Sequence, residues 1–518
     1  MKICDLHSHP TLKPYLRDKA GDQYWKKVNM KIDKLMDNLL DSQSSLDQIW
    51  KASKGTITII ALHPFEKEFG KQKILQKLAL FSKKANKRLL TRVVNGKLPY
   101  HELLDYELDL FNKHKTNGTK SAKIITPDNP AINPDGLNLV LSVEGGHAFC
   151  SQKEIFNDRS RTKANSLQAA IERFKSFRNK HHPIFLTVTH IAYNYFCNQA
   201  WALPNLMIGF PFRRKDFFPK SYGIAPKGMA LIKEALWGNP DKRVLIDIKH
   251  MSLVARMQYF ELIKDKDIPV IASHMGVTGM KRGEIKSQIR KLLTLRSRIR
   301  VRYKKKYAYK PLTQFNTCSI NLYDEDILFI MHSKGLIGVS LDERILGSSK
   351  KEFGEFVYPK EFNEAFADEP ASEMLKKNSD LVDPEEDNTK LETEEVMEVD
   401  EDDMVIDYPE GGDIYHLANN MIHILKVGFE NNILKPWKYM TIGSDYDGLI
   451  NPIDQDDTKI QSITIDEVPA LIEALPQVLI ATADAAGIKS EVETNINEII
   501  SCFAHKNIEE FVDKYYLK

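Results

Sequence analysis

Ile3-Cys4-Asp5-Leu6-His7-Ser8-His9 opens the chain, an apolar run that ends in an alternating pair of histidines. The same design recurs downstream. Leu139-Val140-Leu141-Ser142-Val143 runs into Glu144-Gly145-Gly146, Val244-Leu245-Ile246-Asp247-Ile248 into Lys249-His250, and Pro269-Val270-Ile271-Ala272-Ser273 into His274. Each run is rich in β-branched residues and too short for a stable helix, so each reads as a buried strand. Residues able to bind a metal therefore fall at the C-terminal ends of separate strands. That is where a (β/α)8 barrel gathers its chemistry.

Working outward, further runs complete a series: Ile57 to His63, Ile184 to His190, Leu336 to Asp342 and Tyr439 to Asp445 join the four above, and the total is eight. Helical stretches lie between them. Ala164 to Arg178 is one, and Pro226 to Leu236 another, opening after a proline and closing before Gly238-Asn239-Pro240. Strands alternating with helices imply a parallel sheet, and eight units imply closure. The expected fold is α/β, a TIM-type (β/α)8 barrel spanning residues 1–518 as a single metallohydrolase unit with long charged insertions.

With 518 residues and 42% hydrophobic content the chain can bury a large core, and it is long for one ordinary domain. Insertions account for the excess. A basic one, about 281–318, carries Arg296, Arg298, Arg300, Arg302 and Lys304-Lys305-Lys306; an acidic one, about 366–410, carries Glu385-Glu386-Asp387, Glu394-Glu395 and Asp400-Glu401-Asp402-Asp403. The acidic segment has too little apolar content to fold alone and is expected to be disordered. The two insertions could also attract one another, or the basic arm meet an anionic partner. Phe65 to Pro134 is a third long connection, helical by pattern, that could wall the site.

A formal net charge of +2 gives no bias toward nucleic acid or membrane. Five cysteines, Cys4, Cys150, Cys197, Cys318 and Cys502, show no paired spacing, which suits a reducing compartment. No apolar leader precedes the first strand, and no apolar run approaches the ~20 residues of a transmembrane helix. The expected location is cytoplasmic. A homo-oligomer is compatible with the sequence.

His7 and His9, one residue apart on a strand, point to the same face and can share a cation. Alone, such a pair is weak. Glu144 ends a buried run before two glycines, a costly place for a carboxylate unless a cation compensates, and a bridging position between two metals would satisfy both its oxygens. His250 and His274 each follow an apolar strand. Asp445, in Gly443-Ser444-Asp445-Tyr446-Asp447-Gly448, closes the eighth strand, where a carboxylate can accept a proton from activated water. Asp447 reads better as a turn residue. His190, ending Leu186-Thr187-Val188-Thr189, is placed to donate to a reacting carbonyl. His63 ends the second strand but, as His63-Pro64, reads as a strand terminator.

Asp5-Leu6-His7-Ser8-His9, Ser142-Val143-Glu144-Gly145-Gly146, Leu186 to His190, Leu245 to Ser252, Pro269 to His274 and Ile442 to Gly448 together resemble, in order, the membrane (renal) dipeptidase family of zinc metallopeptidases. The resemblance implies a (β/α)8 barrel with two zinc ions that hydrolyses dipeptides. It would make His7 and His9 ligands of one zinc, Glu144 the bridge, His250 and His274 ligands of the other, Asp445 the proton-handling carboxylate and His190 a substrate contact. Two departures stand out. His9 replaces the family's usual Asp, which removes a negative charge beside the first metal. Ile320 stands where the family places an Arg for the substrate carboxylate, so Arg344 or Arg282 is the expected substitute.

The expected function is metal-dependent hydrolysis of an amide bond in a small peptide or acylated amino acid, with two divalent ions, most simply Zn2+, activating water. No nucleic-acid partner is expected. Two rivals remain: a metal-dependent phosphoesterase, since Asp-Leu-His-Ser-His also resembles the opening motif of the polymerase-and-histidinol-phosphatase group, and a catalytically weakened barrel that serves as a binding or scaffold protein.

Overall fold

The computed structural model describes residues 1–17, 24–27, 42–71, 86–151, 163–202, 217–295, 298–348, 352–366, 414–448, 450–453 and 463–517. Its centre is a curled parallel sheet. The strands, in chain order, are β1 (Ile57–Leu62), β2 (Thr116–Asn117), β3 (Lys120–Ile124), β4 (Leu137–Glu144), β5 (Phe185–Thr187), β6 (Leu245–Asp247), β7 (Ile271–Met275), β8 (Ile289–Leu295), β9 (Arg298–Tyr303), β10 (Leu336–Val339), β11 (Gly354–Val357) and β12 (Met440–Ile442). Parallel pairing runs β1–β4, β4–β5, β5–β6, β6–β7, β7–β10 and β10–β12.

Residues 3–9 are tied to both ends of that series. The Asp5 and Ser8 carbonyls accept from Ile59 and Ala61 of β1, while Leu6 donates to Ile442 at the end of β12 and His9 to Tyr446 just beyond it. Asp5 adds a side-chain clamp: its carboxylate accepts from the Ser444 amide at 3.0 Å and from the Ser444 hydroxyl. Every residue of β1 and β4 is buried, as continuous apolar runs in a sheet covered on both faces should be.

Two crossover helices match their sequence signals, Lys163–His181 and Pro226–Trp237, the latter with proline in its first turn. The connection after Phe65 holds the helices Lys87–Val94 and Tyr100–His114. It also holds β2 and β3, which helical patterning did not suggest; β3 pairs parallel with the first residues of β4.

The basic insertion is more ordered than a solvated arm. β9 alternates half-buried Arg298, Arg300 and Arg302 with buried Ile299, Val301 and Tyr303, and pairs antiparallel with β8 and β11. Its apolar face joins Ile285, Ile289, Leu292, Phe353, Val357 and Phe362 in a second core. Arg296 and, past Phe366, the acidic insertion lie outside the described residues.

Val468–Ala486 is long and apolar enough to cross a membrane by length and composition, a stretch that the sequence reading did not count. Glu473 and Asp484 interrupt the run. Its buried residues, among them Val468, Leu471, Ile472, Leu475 and Leu479, recur at three- and four-residue spacing, the stripe of a helix packed on protein by one face.

Candidate metal centre

Glu144 ends β4 and is 2% exposed. The chain then turns through Gly145 at φ 95, where an added Cβ would stand 2.2 Å from the His147 ring. A side chain there is excluded, so the carboxylate can end the strand and the backbone still turn away.

Six imidazoles surround that carboxylate, three to each oxygen. Oε1 faces Nε2 of His7 at 3.6 Å, of His250 at 3.4 Å and of His274 at 3.8 Å. Oε2 faces Nε2 of His9 at 3.3 Å, Nδ1 of His63 at 3.5 Å and Nε2 of His190 at 3.6 Å. Asp445 closes the ring, with Oδ1 3.3 Å from His9 and Oδ2 3.6 Å from His274. His250 at φ 65 and Asp445 at φ 60 both hold left-handed backbone, an unfavourable conformation for such residues that the surrounding structure must enforce.

These separations are mostly too long for hydrogen bonds and suit ligands sharing an ion. Oε1 of Glu144, Nε2 of His250 and Nε2 of His274 are buried with no hydrogen-bond partner. Leaving such groups unmet is expensive, and a divalent cation between them would satisfy all three, so the donor set fits a metal. Three groupings place their ligand atoms within 4.8 Å of one another: His7, His9 and Asp445; His7, Glu144 and His274; and His63, Glu144 and His190.

Outer contacts orient the rings. Asp247 accepts from the hydroxyls of Thr187 at 2.6 Å and Ser273 at 2.7 Å, and Ser273 Oγ lies 2.8 Å from Nδ1 of His274. With its proton on Asp247, the Ser273 oxygen accepts Nδ1–H, which leaves the His274 Nε2 lone pair directed at Glu144. On the other flank Glu66 Oε2 lies 2.8 Å from Nδ1 of His190.

Burial and close charges shift the titration of the cluster. Burial pushes the His9 imidazole down, but bonds to Asp445 and Glu144 outweigh it and carry the pKa up to about 10. Burial raises the Glu144 carboxyl, yet the charge of His190 and the contacts of His250 and His9 hold it well below its usual range. Burial raises Asp445. It also lowers His250, to about 3, and His274.

All seven residues expected to hold or work on a metal therefore converge: His7, His9, Glu144, His250, His274, Asp445 and His190. Of the two arginines, Arg344 lies near enough for Asp445 to act on it, and Arg282 shows no such link. Arg344 is bound by Nε and Nη2 to Asp342, and Arg282 pairs with Glu325 at 3.5 Å and is partly exposed. Ile320 is buried in the second core. Sequence reasoning set His63 aside and missed Glu66 and Lys249. Lys249 is buried, and burial lowers its pKa to about 8 against the raising effect of Asp445 and Asp342. A lysine inside an apolar strand end was the available signal.

No family model and no curated protein matches the chain. Among solved structures it is similar to a metallo peptidase from Rhodobacter sphaeroides liganded with a phosphinate mimic of the dipeptide L-Ala-D-Ala, at 12% identity over 99% of each chain with a TM-score of 0.48. The dipeptidase AC, a metallo peptidase, is 12% identical over 100% of this chain and 99% of that one, with a TM-score of 0.44. The probable dipeptidase PvdM from Pseudomonas aeruginosa is 12% identical over 92% and 89%, with a TM-score of 0.46.

Proposed function

We propose that the chain is a metal-dependent hydrolase that cleaves an amide bond in a dipeptide or similar small acylated amino acid. The observation that carries this reading is Glu144, whose two oxygens each face three imidazoles at 3.3–3.8 Å, a spacing that suits ligands sharing an ion. His7, His250 and His274 would hold an ion at Oε1, and His9 is placed at Oε2; zinc suits the nitrogen and oxygen donors. Bound there, a divalent ion lowers the pKa of water toward ~7 and polarises a carbonyl. The hydrogen bonds of residues 3–9 to both ends of the strand series support a closed eight-stranded barrel beneath the site.

The chain's own groups divide the remaining work. Asp445, raised by burial and next to His9 and His274, can take a proton at its carboxylate and return it to a leaving amine. Glu144 holds the ligand set together. Arg344, half-buried beside Asp342 and within the field of Asp445, is proposed to bind the substrate carboxylate. Five buried free thiols suit a reducing compartment, and the cytoplasm is proposed as the location.

Screening the purified, zinc-loaded chain against dipeptides, acyl-amino acids and phosphoesters tests this. Turnover of a dipeptide, lost in Asp445→Asn, is the expected result. Turnover of phosphoesters alone, or of nothing while metal is bound, would overturn it.

A further inference from the structure

The helix Pro359–Ala365 is seated on the second core by Phe362, and the residue before it, Glu361, reaches the turn that carries His250. We propose that Glu361 is a positioning residue of the metal centre: through Ser252 it fixes the backbone that aims His250 at Glu144. This rests on the reading of His250 as a metal ligand. It gives the second core, built from β8, β9, β11 and this helix, a part in the site.

Four hydrogen bonds close a ring through Glu361. Its Oε1 accepts from the Gly223 amide at 2.7 Å and from the Ser252 hydroxyl at 2.8 Å. The Asn198 amide donates to the Gly223 carbonyl at 2.9 Å, and the Ser252 amide donates to the Asn198 carbonyl at 3.0 Å. A carboxylate oxygen has two lone pairs and can take both donors. Glu361, Ser252 and Asn198 are buried, where such bonds are stronger than in water. The same helix grips the neighbouring Tyr222 twice more: Lys360 Nζ lies 3.9 Å from the centre of its ring, and Glu364 accepts from its hydroxyl.

His250 lies two residues before Ser252 and holds φ 65, a left-handed backbone that persists only where its neighbours over-determine it. Residues 250–252 run beside 198–200. The His250 carbonyl accepts from the Ala200 amide at 2.8 Å, Met251 bridges to Gln199, and Ser252 donates to Asn198. Among the described residues neither ring nitrogen of His250 has a hydrogen-bond partner, whereas Ser273 meets the ring of His274 and Glu66 that of His190. The direction of the His250 ring is therefore set by its backbone and by the rings of His190 and His274, whose centres stand 4.6 and 5.4 Å from its own.

Glu361 is the side chain that holds this ladder at its outer end. Without it, Ser252 and Gly223 lose their shared acceptor, the 250–252 segment loosens, and His250 can leave the left-handed region. Its Nε2 then moves from its place 3.4 Å from Glu144 Oε1.

The test strips the full-length chain with a chelator and titrates it with cobalt(II) alone, reading count and affinity by equilibrium dialysis and coordination by visible absorption. Glu361→Ala should keep the wild-type count, weaken one ion about tenfold and alter the absorption. Glu361→Gln, whose amide oxygen can take both donors, should keep the wild-type affinity and spectrum. So should Val357→Ala, which thins the second core without touching the ring. Glu361→Met, similar in size but with no oxygen to accept, replaces Glu361→Ala if circular dichroism shows that the latter is unfolded. Unchanged affinity and spectrum on losing the carboxylate, or an equal loss in Glu361→Gln or Val357→Ala, would overturn the inference and leave the metal reading standing, provided His250→Ala still loses an ion. A wild-type chain that binds no cobalt would overturn both.

Discussion

Nε2 of His7 and Nε2 of His9 stand 3.0 Å apart, yet each faces its own oxygen of Glu144, His7 toward Oε1 and His9 toward Oε2. Alternation along residues 3–9 puts both rings on one face, and the carboxylate separates their duties. His9 also sits 3.3 Å from Asp445, between two carboxylates.

His9→Asp follows directly. Without metal, a third carboxylate would replace the imidazolium that neutralises Glu144 and Asp445, so the stripped variant should be less stable, by about 3–5 kcal/mol. With zinc, the added charge should tighten retention. Urea melts of stripped protein and chelator competition of loaded protein read the two effects. Weaker zinc retention in the variant would detach His9 from the metal.

Much of this site was legible because each ligand terminates a β-branched run, and strand ends can be recognised from local composition. His63 was not, since Pro64 gives the same ending a plain structural meaning. Glu66 acts through His190, 124 positions away in sequence, and no local pattern announces such a partner. In β9 the alternation of Arg298 to Tyr303 was present in the sequence, but the arginine density masked its period of two. The grouping of six histidines around one carboxylate depends on how neighbouring strands stagger, which periodicity does not encode.

Asp447 anchors rather than reacts. It accepts from Lys13 at 2.7 Å, from the Gln43 and Ser44 amides at 2.9 Å each and from the Ser44 hydroxyl at 2.8 Å. Asp447→Ala should destabilise the chain by about 3–5 kcal/mol, because it removes the ion pair to Lys13 and strands the buried Gln43 and Ser44 donors. Denaturant unfolding at neutral pH checks it, and a change within about 0.5 kcal/mol would contradict the pairing.

Glu107 predicts a pH signature. Burial raises its carboxyl from 4.5 to about 7, against the lowering bond from Thr11. A carboxyl raised in the folded state holds its proton longer folded than unfolded, so its contribution falls as pH rises from about 4.5 through about 7. Glu107→Gln should gain stability over the wild type across that window, by up to about 3 kcal/mol. Paired urea melts at pH 5 and pH 8 read the difference, and a gap independent of pH would refute the shift.

Arg344 bears on the substrate. An arginine that holds a free carboxylate contributes paired, charge-assisted hydrogen bonds. Arg344→Ala should therefore raise KM about tenfold or more for a dipeptide and little for its C-terminal amide, with kcat less affected. Equal effects on both would confine Arg344 to holding Asp342.

Glu144 and the histidines that face it are proposed to hold metal. Elemental content of the purified full-length chain, grown and loaded with zinc, measures this directly. About two zinc ions per chain are expected, falling by one in a folded His274→Ala variant. A folded wild-type chain carrying no divalent metal would contradict it.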